Sequence, residues 1–226
     1  MELSIDTSTR YASVCLADQA NVLCQYSWFS QQNHSKELLP NIVNILDSTG
    51  LSKGDLDCII VAAGPGSFSA LRVGLSTAKG LCASLGVPLI SVNTMEIEAH
   101  KFQGLGFPIC SVLDIGRGEI AASIYSDADQ KWRCIIKEDI YTPAQLCSTI
   151  TMQTIFCGEG IKNVADSIKD ELGALAIIPE QNTPTRLPAS IAAIGYKIFS
   201  TGVLGNVSTV EPIYLRRPSI SKPRLR

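Results

Sequence analysis

The sequence predicts a duplicated α/β fold on two mixed β-sheets, and two observations carry that prediction. Three closely spaced strand signals, then alternating helical and strand patterns, fill roughly the first hundred residues, and the same order recurs afterwards. Strands joined by short turns pair antiparallel, whereas a strand–helix–strand run sets its strands parallel, so each half mixes both in one sheet. The chain has 226 residues, 46% hydrophobic and 18% charged, with a formal net charge of -2. That is enough for adequate cores, and it leaves no global field to attract nucleic acid or an anionic membrane.

The opening strands are expected at residues 3–5, 11–17 and 22–28, with Thr7-Ser8-Thr9 and residues 18–21 as turns. A helix follows at 35–49, with Leu38, Leu39, Ile42, Ile45 and Leu46 on one face and Gly50 as its stop. Pro40 should lie in its first turn or mark its true start, because proline lacks the N–H an interior position needs. Residues 58–63 are an apolar run rich in β-branched side chains and form a buried strand. Gly64-Pro65-Gly66 turns the chain sharply into a helix at 69–85, which Gly86 and Pro88 end before a strand at 88–92. In the second half, strands are expected at 108–115, 119–125, 131–137, 154–157 and 174–178, and helices at 143–150, 161–172 and 189–201. The halves share element order, not identity. They divide as residues 1–104 and a smaller 105–226, the latter with a basic tail from about 216 and a last helix placed to pack back on the first half.

The acidic start Met1-Glu2-Leu3-Ser4 is no secretory signal, and no apolar stretch approaches the ~20 residues that span a bilayer. Eight cysteines (Cys15, Cys24, Cys58, Cys82, Cys110, Cys134, Cys147 and Cys157) lie without any C-x-x-C pair, mostly in apolar runs, as free buried thiols do. The chain is expected to be cytoplasmic.

The run Ala62-Ala63-Gly64-Pro65-Gly66-Ser67-Phe68-Ser69-Ala70-Leu71-Arg72-Val73-Gly74 resembles the GPGSFTGLRIG signature of the TsaB (YeaZ) family. That family belongs to the bacterial machinery that makes the N6-threonylcarbamoyladenosine modification of tRNA. The resemblance is strong to about Met95 and thinner beyond, and Pro212 to Arg216 matches the family's P-x-Y-L-R ending. It implies the actin/hexokinase/Hsp70-like (ASKHA) fold. It also implies a TsaD-type transferase and a TsaE-type ATPase as partners, with tRNA met mainly through the complex and self-association through the same helices. Partner contact then falls on Leu38, Leu39, Ile42, Phe68, Leu71, Arg72 and Leu75. Two helix-interior glycines, Gly74 and Gly80, suit close approach of another helix.

The superfamily approaches phosphates and their metal from a strand-end acidic turn, here Asp6-Thr7-Ser8, with Asp114 matching it in the second half and Gly158-Glu159-Gly160 at the adenosine turn. These residues form a nucleotide-like cleft or are inherited turns whose side chains cap backbone. The Gly64-Pro65-Gly66 loop lacks the lysine of a Walker A and the third glycine of a dinucleotide fingerprint, so it is not a phosphate loop. The catalytic TsaD relatives carry N-H-x-x-x-H after the following strand and bind a metal there; this chain reads Asn93-Thr94-Met95-Glu96-Ile97-Glu98. Threonine and one carboxylate do not replace two imidazoles, so neither metal nor other cofactor is expected. Of the two histidines, His34 is expected to cap a helix or face solvent, and His100 to end one.

A non-catalytic scaffold subunit is the leading reading. An ATP-binding kinase or ATPase using Asp6 and Asp114 is the alternative, and a glycoprotease-like peptidase ranks below it for want of a histidine pair or triad.

Overall fold

Strands β1 (Glu2–Asp6), β2 (Tyr11–Asp18) and β3 (Asn21–Phe29) form an antiparallel meander, and β4 (Cys58–Gly64) and β5 (Leu89–Asn93) add parallel on the other side of β1. A computed structural model describes residues 1–129, 131–202 and 207–216 of the chain. In the second half β6 (Ile109–Gly116), β7 (Glu119–Ser126) and β8 (Arg133–Tyr141) repeat the meander, with β9 (Thr154–Cys157) and β10 (Ala176–Ile177) parallel beyond β6. The strand orders, β3-β2-β1-β4-β5 and β8-β7-β6-β9-β10, are the same, so the duplication read from element order is a duplication of sheet topology.

Helices α1 (His34–Thr49) and α2 (Phe68–Leu85) cover one face of the first sheet; α4 (Pro143–Cys147) and α5 (Ile161–Leu172) cover one face of the second. The remaining two helices are exchanged. The helix α3 (Thr94–His100) follows the first sheet yet packs on β6 and β7 as well as on β4 and β5, and α6 (Pro188–Ser200) follows the second yet packs on the first sheet. Both sheets are therefore covered on two faces. In β4, Ile59 and Val61 point toward α1 and α2, while Cys58, Ile60 and Ala62 meet Ile97, Ile191 and Ile194. That is why this strand reads as unbroken hydrophobicity and not alternation.

The helix α1 begins at His34, so Pro40 lies inside it and not in its first turn. Its ring sits on the exposed face, where water can satisfy the carbonyl left without a donor, and the Asn41 side chain takes the next one, donating to Glu37 O at 3.0 Å. His34 is buried, with Nε2 2.9 Å from Thr9 O, and neither caps the helix nor faces solvent as expected. Among the described residues all eight cysteines are free, and burial pushes the Cys15 and Cys58 thiols up to about 12. No described helix is long and apolar enough to cross a membrane.

Candidate functional site

A cleft of about 1110 Å³ opens between the halves, with Ser8, Tyr11 and Ser67 on one wall and Asp114, Lys162 and Asn163 on the other. The turn after β1 closes its floor, and the side chains of Asp6, Thr7 and Ser8 are engaged inside the chain. Asp6 Oδ1 accepts from the Ser8 amide at 2.8 Å and the Ser8 hydroxyl at 2.6 Å, and Thr7 Oγ1 donates to Ala70 O at 2.7 Å. Asp6 Oδ2 accepts from Arg186 Nε at 2.7 Å. Three of the roughly four acceptor sites of that carboxylate are therefore taken within the chain. Asp114, by contrast, is exposed; it accepts from the Gly116 amide and from Asn163 Nδ2.

The glycines have packing reasons. A Cβ on Gly158 would sit 2.5 Å from Val112 O, and one on Gly160 2.5 Å from Asp114 N, so both let the turn after β9 lie on β6. A Cβ on Gly66 would meet Ser8 O at 2.3 Å, where the Ser67 amide donates to that carbonyl. Gly74 faces Thr7 Oγ1, 2.4 Å from a notional Cβ, so its close neighbour is this chain's own turn and not another helix. Gly80 is exposed with nothing near it.

Arg186, in the loop ahead of α6, is the residue sequence reasoning missed. Its side chain is 3% exposed and reaches carboxylates from three places: Asp6, Glu98 on α3 at 3.0 Å, and Glu159 in the β9–α5 turn at 2.7 Å. Its NH2 donates to Thr9 Oγ1 and to Tyr11 O. Burial opposes the guanidinium charge, but Asp6, Glu98 and Glu159 hold it protonated, above the ordinary arginine value. Burial pushes the Glu98 carboxyl up, against the pull of Arg186 and the Thr185 hydroxyl that donates to it. Nothing in Thr183-Pro184-Thr185-Arg186 marks the arginine; the one available signal is an unpaired basic residue in a segment flanked by prolines.

Thr94 and Glu98, which stand in place of the two histidines, are both buried, and among the described residues Thr94 Oγ1 and Glu98 Oε2 have no hydrogen-bond partner. Asn93 caps α3, accepting from the Met95 amide at 2.8 Å. Among the described residues no three His, Cys, Asp or Glu are grouped to hold a metal ion.

The predicted partner surface is corrected in part. Leu38, Ile42, Leu71 and Leu75 are at most 4% exposed, and Leu38, Ile42 and Leu75 pack with Ile5, Val14 and Val61 in the first core. They present no surface, because the apolar stripe of each helix faces its own sheet. Leu39 is 52% exposed and Val43, one turn on, 54%. On α2 the outward face carries Arg72, Ser76, Gly80, Ala83 and Ser84. Phe68 contacts both the Arg72 guanidinium, 3.8 Å from its ring centre, and the Tyr214 ring at 4.8 Å; Arg72 Nε donates to the Tyr214 hydroxyl at 3.1 Å. Tyr214 arrives there because Ile213 N donates to Ala63 O beside Gly64, whose φ of +111° and lack of a Cβ admit the Ile213 backbone. The basic tail from Arg217 onward lies outside the described residues; Arg216 pairs with Glu119.

A family model described as TsaD, tRNA N6-adenosine threonylcarbamoyltransferase, matches residues 28–201. The chain belongs to this family. Within it the full-length likeness is to TsaB. The chain is 27% identical to the tRNA threonylcarbamoyladenosine biosynthesis protein TsaB of Bacillus subtilis, over 95% of this chain and 93% of that one. A solved Pseudomonas aeruginosa structure, described as similar to peptidase YeaZ, superposes with a TM-score of 0.80 at 20% identity, over 95% of this chain and 99% of that one. EutJ, an ethanolamine utilization protein of Carboxydothermus hydrogenoformans, superposes with a TM-score of 0.53 at 12% identity, covering 85% and 89%. The fold is thus the actin/hexokinase-like one, and the TsaB resemblance read from the motif run extends across the chain.

Proposed function

We propose that this chain is a non-catalytic scaffold and activator in tRNA threonylcarbamoyladenosine biosynthesis, docking on a TsaD-type, metal-containing transferase. One observation carries the reading. The α3 positions that hold two histidines in the transferase hold Thr94 and Glu98, and the Glu98 carboxylate is committed to Arg186. The docking face is α1 with α2, where Leu39 and Val43 stand exposed beside small side chains that let a partner helix approach closely. Contact there stabilises the partner's active conformation by differential binding. A TsaE-type ATPase joins the same assembly, tRNA is met mainly through the complex, and the protein works in the cytoplasm. Self-association through the same helices competes with docking. Gel filtration of the Leu39→Asp/Val43→Asp variant with a TsaD-type transferase tests the surface: lost co-elution at unchanged melting temperature is the expected result, and retained co-elution overturns it.

The cleft supports a second reading, an ATP-binding enzyme with Lys162 and Asn163 toward the phosphates. Calorimetry with Mg-ATP on the isolated chain separates the two: micromolar binding with turnover favours the enzyme.

A further inference from the structure

We infer that Arg186 is a built-in cationic clasp that holds the two halves of the chain closed, so that the cleft keeps one width with nothing bound in it. A guanidinium offers five N–H groups, and five oxygens surround this one, from Asp6, Thr9, Tyr11, Glu98 and Glu159. Their origins give the inference its content. Asp6, Thr9 and Tyr11 belong to the β1–β2 corner of the first sheet, Glu159 to the β9–α5 turn of the second, and Glu98 to the exchanged helix α3 that runs between them. A second tie lies alongside, Thr9 Oγ1 donating to Glu159 Oε1 at 2.9 Å.

The charges decide what happens without the clasp. Three carboxylates meet one guanidinium, with Asp6 and Glu98 each 2% exposed and Glu159 16%. Remove the cation and like charges from opposite halves face each other across a water-poor gap, where repulsion is little screened. Each half has its own core on its own sheet, so the strain is relieved by parting the halves at the cleft and not by melting either sheet. Arg186 is a positioning residue in this scheme. It touches no reacting atom, and its effect is the angle between the sheets. The inference concerns the isolated chain and stands whether or not the docking surface on α1 and α2 is right.

The test uses the full-length protein and two readouts, small-angle X-ray scattering and amide hydrogen exchange. Arg186→Ala should raise the radius of gyration and speed exchange at least tenfold at Ser8, Ser67 and the β9–α5 turn, leaving β4 and β7 protected. Millimolar guanidinium chloride, far below denaturing levels, should reverse both changes by refilling the site, and the same concentration of sodium chloride should not. Unchanged scattering and exchange in Arg186→Ala overturn the clasp, as does reversal by sodium chloride alone. If Arg186→Ala does not fold, Glu159→Gln decides. It weakens only the tie to the second half, so faster exchange confined to the cleft supports the clasp and wild-type exchange there refutes it.

Discussion

Truncating Ile42 and charging Leu39 should have opposite consequences, although both lie on α1 and sequence periodicity puts both on one apolar face. Ile42 is 3% exposed in the core with Leu38, Ile45 and Leu75. Ile42→Ala deletes two methyl groups and a methylene, at about 0.8 kcal/mol for each buried carbon. The residual cavity brings the loss to about 3–4 kcal/mol. For a chain of this size that lowers the melting temperature by roughly 10 °C. Leu39 is half-exposed and outside that core, so Leu39→Asp should change stability by less than about 1 kcal/mol. Urea unfolding followed by circular dichroism measures both variants, and gel filtration with the TsaD-type transferase follows below the melting temperature. Ile42→Ala should still co-elute and Leu39→Asp should not. Equal destabilisation by the two changes, or partner loss with Ile42→Ala alone, would refute the division of α1 into a core face and a docking face. Charging Leu71 or Leu75 is no test of docking, since a carboxylate at either position is buried and unfolds the chain.

Gly195→Ala on α6 would place its Cβ 2.4 Å from Ile60 Cγ2 on β4, an overpacking of about 1–3 kcal/mol. Differential scanning calorimetry should show the lower melting temperature, and the loss in the double variant with Ile60→Ala should fall short of the sum of the two single losses; additive losses would place the conflict elsewhere. The Glu98 carboxyl, pushed up by burial, favours the fold while protonated. Its contribution is full below the unfolded carboxylate range and is lost as pH rises through the raised folded value. Glu98→Gln keeps an acceptor for Arg186 and Thr185 and removes that titration. Urea unfolding from about pH 4 to about pH 8 should therefore give a flatter stability profile than wild type, and parallel profiles would contradict it. Elemental analysis of the purified protein should find no stoichiometric transition metal, and EDTA should leave its melting temperature unchanged; a metal-dependent shift would restore a metal centre to the chain.

The fold was legible because its two signals are local. Short turns between the first three strands of each half dictate meanders, and short apolar runs rich in β-branched residues, such as Cys58-Ile59-Ile60-Val61, favour strands covered on both faces. Four of the residues expected at a partner contact are buried in the core for a physical reason. Spacing by three and four identifies a helix's apolar stripe, but core and interface produce the same stripe, and only the tertiary arrangement shows that Leu38, Ile42 and Leu75 face their own sheet and that Leu71 is buried. Pro40 misled the helix start because an exposed proline costs less when water reaches the freed carbonyl. Arg186 was invisible because its partners are about ninety to one hundred and eighty residues distant along the chain, apart from Glu159, and no periodic pattern links them. Without Arg186, Asp6 reads as an approach to phosphates and their metal and Glu98 as a histidine lost; with it, both are its counter-charges.

The most direct measurement is threonylcarbamoyl transfer to tRNA, with this chain titrated against a fixed amount of TsaD-type transferase and also assayed alone. The account predicts no modified adenosine from the isolated chain, and a rate with the partner that rises and then saturates once the docking sites are filled. Multiple turnover by the isolated chain, or a partner rate indifferent to its presence, would contradict it.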